Sequence, residues 1–267
     1  MKVKEILGAL EEFAPLALQD GYDNAGLQIG LAEDAEATGA LLCLDVTEAV
    51  VDEAVKLGCN VIVSHHPLLF RPVKCIAGRD YVERTIMRAI KHDITIYASH
   101  TNLDSAHGGV NFKMAEKLGL VAPQWLSPKG EYTVGGKVTS AGEGIIATLP
   151  LPLSQKDWME RVKEVFKLKS IRVNTSNKQT ISRVALCGGS GAFLISKAVE
   201  EGADAFITGE IGYHRFFVYE GDILLMEIGH FESEQYTLEV LHDVIQKAAP
   251  SLSIHYTKLK TNPINYL

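Results

Sequence analysis

The segment LLCLDVTEAVVDEAVKLGCNVIVSHHP, residues 41–67, falls without a gap on ALCGGSGAFLISKAVEEGADAFITGEI, residues 185–211, when the chain is shifted by 144 positions. Cys43 then meets Cys187, Ala54 meets Ala198, Val55 meets Val199 and Gly58 meets Gly202. Each copy reads as a short apolar strand, a turn, a helix, a glycine that ends the helix, and a second apolar strand. A strand–helix–strand unit implies parallel strands, because antiparallel neighbours need only a hairpin between them. Two such units predict an α/β protein of two related lobes, a pseudo-repeat with mixed or parallel sheets.

The similarity continues at a slightly different offset. YVERTIMRAIKHDITIYASHTNLD, residues 81–104, gives a helix and a strand that ends on His100, with Asp104 four positions later. ILLMEIGHFESE, residues 223–234, gives a strand that ends on His230, with Glu234 four positions later. Between the copies the composition turns to glycine and proline with short β-type runs, followed by LPLSQKDWMERVKEVFKL, a helix with Ser154 or Asp157 near its start. The expected organisation is a first lobe over 1–120, a bridging hairpin and helix over 121–182, and a second lobe over 183–267.

Histidines concentrate at strand ends. VIVSHHPLLF, residues 61–70, is a strand that stops on His65 and His66 before Pro67. A strand sends neighbouring side chains to opposite faces, so the two imidazoles converge only if the backbone leaves the sheet. Proline forces that exit, since it cannot donate to a ladder. Ligands of open α/β sheets bind at the carboxyl ends of strands. A lone histidine is more often satisfied core or surface than ligand, but His65, His66, Asp104, His230 and Glu234 all sit at strand ends of one repeated layout. Imidazole with carboxylate suits zinc, iron, manganese, cobalt or nickel, and five such donors exceed one tetrahedral ion. Two divalent ions about 3.5 to 4 Å apart form a platform for activating water. Bridging carboxylates would let the five donors hold two such ions.

Other candidates stand nearby. His100 is expected as a second-shell residue that steadies a carboxylate, or as a sixth ligand. His107, in the loop after Asp104, is expected near substrate rather than on metal. In TGEIGYH, residues 208–214, Glu210 occupies the repeat position of His66, so Glu210 and His214 are candidates for catalytic proton transfer. The alternative for Glu210 is an acid beside a helix start. CGGSGAF, residues 187–193, could offer backbone amides to a phosphate, but strand-to-helix turns use glycine anyway. No chemistry is assigned to YDNAGLQIG, residues 22–30, and His92, His242 and His255 lie among polar neighbours.

Composition narrows the setting. A net charge of −7 argues against broad adhesion to nucleic acid. No apolar run approaches the roughly 20 residues that cross a bilayer. The amphipathic N-terminus lacks a cleavage signal and Cys43, Cys59, Cys75 and Cys187 are widely spaced, so a cytoplasmic protein with free thiols is expected.

YDNAGLQIG, LDVTEAVVDEA, SHHPLLF, HTNLDSAHGGVN, TGE and GHFESE, in this order, resemble the Nif-three-like proteins, also called GTP cyclohydrolase I type 2 homologues. The resemblance runs from near the N-terminus to residue 234. It implies two α/β lobes with a dinuclear metal centre between them, its ligands at the matching positions His65, His66, Asp104, His230 and Glu234. It further implies a toroidal homo-hexamer, a trimer of dimers, and hydrolysis of a nucleotide-like small molecule such as GTP. The connector here is too short for the extra domain of about a hundred residues that some members of the family carry between the lobes. A competing expectation is a hexamer that handles or senses metal without catalysis.

Overall fold

Runs of four apolar residues become fully buried parallel strands in the computed structural model, which describes residues 1–30 and 35–266. Two compact units share the chain, the first made of Met1–Ala106 and Thr237–Ile264, the second of His107–Tyr236 and the last residues. Before the first crossing come α1 (Val3–Phe13), β1 (Gly26–Ile29), β2 (Ala40–Cys43), α2 (Glu48–Leu57), β3 (Val61–Ser64), α3 (Tyr81–Lys91), β4 (Thr95–Ala98) and α4 (Thr101–Asp104). The second unit adds α5 (Val110–Lys117), β5 (Val121–Val134), β6 (Lys137–Ser154), α6 (Gln155–Phe166), β7 (Arg172–Val173), β8 (Thr180–Cys187) and α7 (Ile195–Glu200). It closes with β9 (Ala205–Thr208), α8 (Arg215–Val218), β10 (Leu224–Glu227) and α9 (His230–Glu234), and the chain returns to the first unit as α10 (Thr237–Ala248) and β11 (Ile254–Tyr256).

The first sheet has the order β1-β4-β3-β2-β11, with β1 antiparallel to β4 and the other pairs parallel. All four residues of β2, β3 and β4 are buried, as a parallel sheet covered on both faces requires. Thr47 caps α2 by accepting the Val50 amide, and Gly58 ends it in the left-handed conformation at φ 71°. Leu41, Ile62 and Ile96 pack with Val50, Val51 and Ala54 of α2 and Ile86 and Ala89 of α3.

The second sheet has the order β5-β6-β8-β9-β10-β7, in which β8, β9 and β10 are parallel and the flanking pairs antiparallel. Period-two alternation feeds two cores. Val184, Leu186 and Ile207 face Trp158, Val162 and Phe166 of α6, while Ala185, Cys187 and Phe206 face Ile195 and Ala198 of α7. Gly202 follows α7 at φ 72°, matching Gly58 after α2. The chain is thus a mixed α/β protein with two mixed sheets, and Cys43, Cys59, Cys75 and Cys187 are free thiols, of which Cys75 alone is exposed.

The division of the chain differs from boundaries at 120 and 182. Residues 121–182 are no separate bridge, because Ile145 pairs with Leu186 and the hairpin is part of the second sheet. Residues 237–264 leave that unit, because His255 pairs with Leu41 and adds an edge strand to the first sheet. Among the described residues no helix is long and apolar enough to cross a membrane.

Candidate metal centre

Ladder bonding outlasts β3 by two residues, since the His65 amide donates to Cys43 O (3.2 Å) and the His66 amide to Leu44 O (2.9 Å). Pro67 then breaks the ladder. The His65 and His66 rings come to rest 5.0 Å apart between centroids, and the His100 ring, just beyond β4, lies 5.3 Å from the first and 5.6 Å from the second. One nitrogen of each ring lies within 4.8 Å of the others. The structure therefore places His100 inside the cluster rather than behind it.

Each of these rings is held by its Nδ1. His65 Nδ1 meets Ser99 O at 2.8 Å, His66 Nδ1 meets Asp45 Oδ1 at 2.8 Å, and His100 Nδ1 meets Asp23 Oδ1 at 2.7 Å. A carbonyl or carboxylate oxygen only accepts, so Nδ1 carries the proton and the neutral ring keeps its lone pair on Nε2. His65 Nε2 lies 3.7 Å from Asp104 Oδ1. That is too long for a hydrogen bond. Two ligands of one tetrahedral ion with bonds near 2.1 Å stand roughly 3.4 Å apart, close to the separation seen.

Asp23 explains why YDNAGLQIG lies where it does. Burial pushes its carboxyl up, but hydrogen bonds from His100 and Thr101 outweigh burial and hold it down at about 2. It accepts the Thr101 amide (3.1 Å) and hydroxyl as well, and its side chain is wholly shielded from solvent. Asp45, just past the end of β2, takes the Thr261 hydroxyl on its other oxygen at 3.2 Å. Neither acid was singled out by the sequence. The available signal was an aspartate two residues past a strand in the repeated block, and an Asp-Asn pair before a turn.

In the second unit, Gly229 turns the chain out of β10 at φ 93° and His230 opens α9. His230 Nδ1 meets Glu210 Oε1 at 2.8 Å, and His230 Nε2 faces Glu234 Oε2 at 3.3 Å, with Glu234 buried. The Ser190 hydroxyl donates to Glu210 Oε2 at 2.7 Å. That bond, and the one from His230, hold the Glu210 carboxyl below the usual range against a smaller opposing effect of burial. Glu210 is therefore an ionised acceptor that orients His230. His214 is exposed, and its ring stands edge-on to Tyr213, 5.3 Å away. His107 is exposed and tilts against Phe112, 4.4 Å away. Among the described residues neither of them joins a cluster of possible metal ligands.

The glycine turn is spent internally. The Gly188 amide donates to Asn111 Oδ1, Gly189 to Ser233 Oγ and Gly191 to Thr208 Oγ1, leaving no row of amides for a phosphate. Gly189 has φ +60°, and a Cβ there would clash with Glu234 Oε1. Its bareness serves the carboxylate's approach. The first unit thus carries a cluster that could hold a metal ion, His65, His66 and His100, with Asp104 beside it, and the second carries the histidine–carboxylate pair His230 and Glu234.

The family model described as Duf34/NIF3 (NGG1p interacting factor 3) matches residues 1–263. A Clostridium perfringens protein named GTP cyclohydrolase 1 type 2 homolog is 36% identical over 236 residues, covering 88% of this chain and 87% of the relative. A Clostridium acetobutylicum protein of the same name is 32% identical over 256 residues, covering 96% and 93%. Among solved structures, a hypothetical protein of Staphylococcus aureus superposes with a TM-score of 0.90 at 28% identity, covering 100% of this chain and 99% of the other. A Bacillus cereus protein related to NIF3 gives 0.88 at 26% identity over the same shares.

Proposed function

Because the chain belongs to the Duf34/NIF3 family, we propose that it is a metal-dependent hydrolase of a small, nucleotide-like substrate, with two divalent ions held by His65, His66, Asp104, His230 and Glu234. One observation carries the reading. Four imidazoles, those of His65, His66, His100 and His230, each spend Nδ1 on an oxygen of the protein, which puts the ring lone pair on Nε2 in all four. Core or surface histidines have no reason to share one tautomer, whereas ligands do.

Divalent ions at these donors would act as Lewis acids and lower the pKa of water at neutral pH. The protein's own part is to hold the donors still. Asp45, Asp23 and Glu210 fix the tautomer and orientation of the rings they touch, and Ser99 O does the same for His65. His100 is available as a further ligand beside His65 and His66. Glu210 positions His230 rather than moving a proton itself, since both its oxygens are engaged. The name GTP cyclohydrolase carried by the relatives makes a guanine nucleotide the first substrate to test.

The test is elemental analysis of protein purified without chelator, alongside Asp104→Ala, followed by a turnover assay. About two ions per chain, lower occupancy in the variant at an unchanged melting temperature, and turnover abolished by chelation and restored by one metal support the proposal. Full occupancy in Asp104→Ala, or turnover indifferent to chelation, refutes it.

A further inference from the structure

A cavity of about 1070 Å³ opens in the first unit, at the upper end of the range for small-molecule sites. Its wall is apolar and in part aromatic. Phe70, Val73 and Ile76 come from the loop after His66, Ile86 and Ile90 from α3, and Tyr22 from the loop that carries Asp23. Exposure there is high for such residues: Tyr22 67%, Phe70 44%, Ile76 51% and Ile90 57%. Contiguous apolar surface of this kind on a soluble protein marks a binding site.

Two contacts join the cavity to the histidine cluster. Asp23 lines the cavity and also accepts from His100 Nδ1 at 2.7 Å. Phe70 lines it and stands edge-on to the His100 ring, 6.0 Å away and at 87°. Tyr22 meets Phe70 edge-to-face at 6.4 Å, so the two rings form one aromatic corner beside His100.

Charge is placed on one side of this corner. Arg71 lines the cavity and also a second recess of about 490 Å³, to which Lys74 is added. Arg79 of that recess is paired with Glu83, but neither Arg71 nor Lys74 makes an ion pair or side-chain hydrogen bond among the described residues. Of the two acids among the described residues that line the cavity, Asp23 is committed to His100 and Thr101, which leaves Asp93 on the turn after α3. Among the described residues the cavity thus presents one unengaged cation, Arg71, and one unengaged carboxylate, with Lys74 a second unengaged cation in the adjoining recess.

We propose that this cavity binds the planar ring system of an organic anion, with Tyr22 and Phe70 against the rings and Arg71 on the acidic group. The inference names the substrate class of the proposed centre and rests on that reading for its catalytic meaning. Its test reads binding alone.

The probe is 1-anilinonaphthalene-8-sulfonate, titrated by fluorescence into chelator-treated protein, with metal content measured separately on every variant. One saturable site per chain is expected. Ile90→Asp and Arg71→Glu should each weaken it by at least about tenfold, the size of a lost charge-assisted contact. Phe217→Ser, at an exposed aromatic of the second unit, should leave it unchanged, and all three variants should keep the wild-type metal content. Equal binding in wild type, Ile90→Asp and Arg71→Glu would overturn the proposal. So would absence of the site in wild type together with self-association that Ile90→Asp abolishes, because the face would then be an interface between copies. Either result can coexist with full metal occupancy, so it leaves the hydrolase reading to its own test.

Discussion

Removing the Glu210 carboxylate should weaken metal binding without touching any ligand. The variant Glu210→Ala frees His230 Nδ1, which now meets Glu210 Oε1 at 2.8 Å, so the ring loses the partner that fixes its orientation and tautomer. A hydrogen bond to a charged group contributes about 1.5 to 3 kcal/mol when shielded. Here the side chains are 59% and 37% exposed, and solvent screens the pair, so the lower end applies. A loss of about 1.4 kcal/mol is tenfold in affinity. Asp23→Ala is the internal comparison. Its side chain is fully shielded and also serves Thr101, so the loss for the ion nearest His100 should approach the upper end for such orienting residues, about a hundredfold. Competition for zinc against a chromophoric chelator at one pH reads both numbers, and circular dichroism melting verifies the fold. Both variants binding zinc within twofold of wild type, or Glu210→Ala losing more than Asp23→Ala, would refute the argument that Nδ1 partners tune these rings.

Gly189→Ala should lower zinc occupancy more than Gly202→Ala, because a Cβ at 189 strikes Glu234 Oε1 whereas at 202 it meets nothing within 4 Å; equal occupancy in the two would remove Gly189 from the site. Glu83 accepts the amides of Arg79 and Ala77, and these bonds hold its carboxyl below the usual range. A depressed carboxyl stabilises the fold above its ordinary pKa and loses that contribution as pH falls through the folded value. Glu83→Gln should therefore melt earlier than wild type at pH 7, with the gap closing below about pH 4. A gap independent of pH would mean that ionisation of Glu83 plays no part. Trp158→Ala empties the centre of the second unit's larger core and should cost about 3 to 5 kcal/mol in chemical denaturation, and a cost under 1 kcal/mol would contradict the packing described for α6.

The parallel strands and the strand-end histidines were legible because their signals are local. β2, β3, β4 and β9 are four-residue runs of mostly apolar residues bounded by turn residues, and Pro67 marks the exit after His66. The orienting acids were not legible. Asp23 meets His100 across 77 residues and Asp45 meets His66 across 21, and no local pattern encodes such a pairing. Glu210 was noticed through the repeat, yet its bond to His230 assigns it to holding a ring. The edge strand β11 was missed for a similar reason, since it finds β2 only after more than two hundred residues of intervening chain.

That return of the chain sets an order of completion during synthesis. The second unit owns all six strands of its sheet by residue 227 and can close while the C-terminus is still being made. The first unit begins earlier and finishes last, since its sheet awaits β11 at Ile254–Tyr256 and its Glu53 carboxylate awaits the Thr257 hydroxyl and the Lys258 amide. A message truncated after residue 236 would therefore yield a second unit with its sheet complete, attached to a first one with the edge of β2 bare, an open template for another strand. Loss of some thirty C-terminal residues, far in sequence from His65 and His66, would turn the earliest-made half of the protein into its aggregation-prone half.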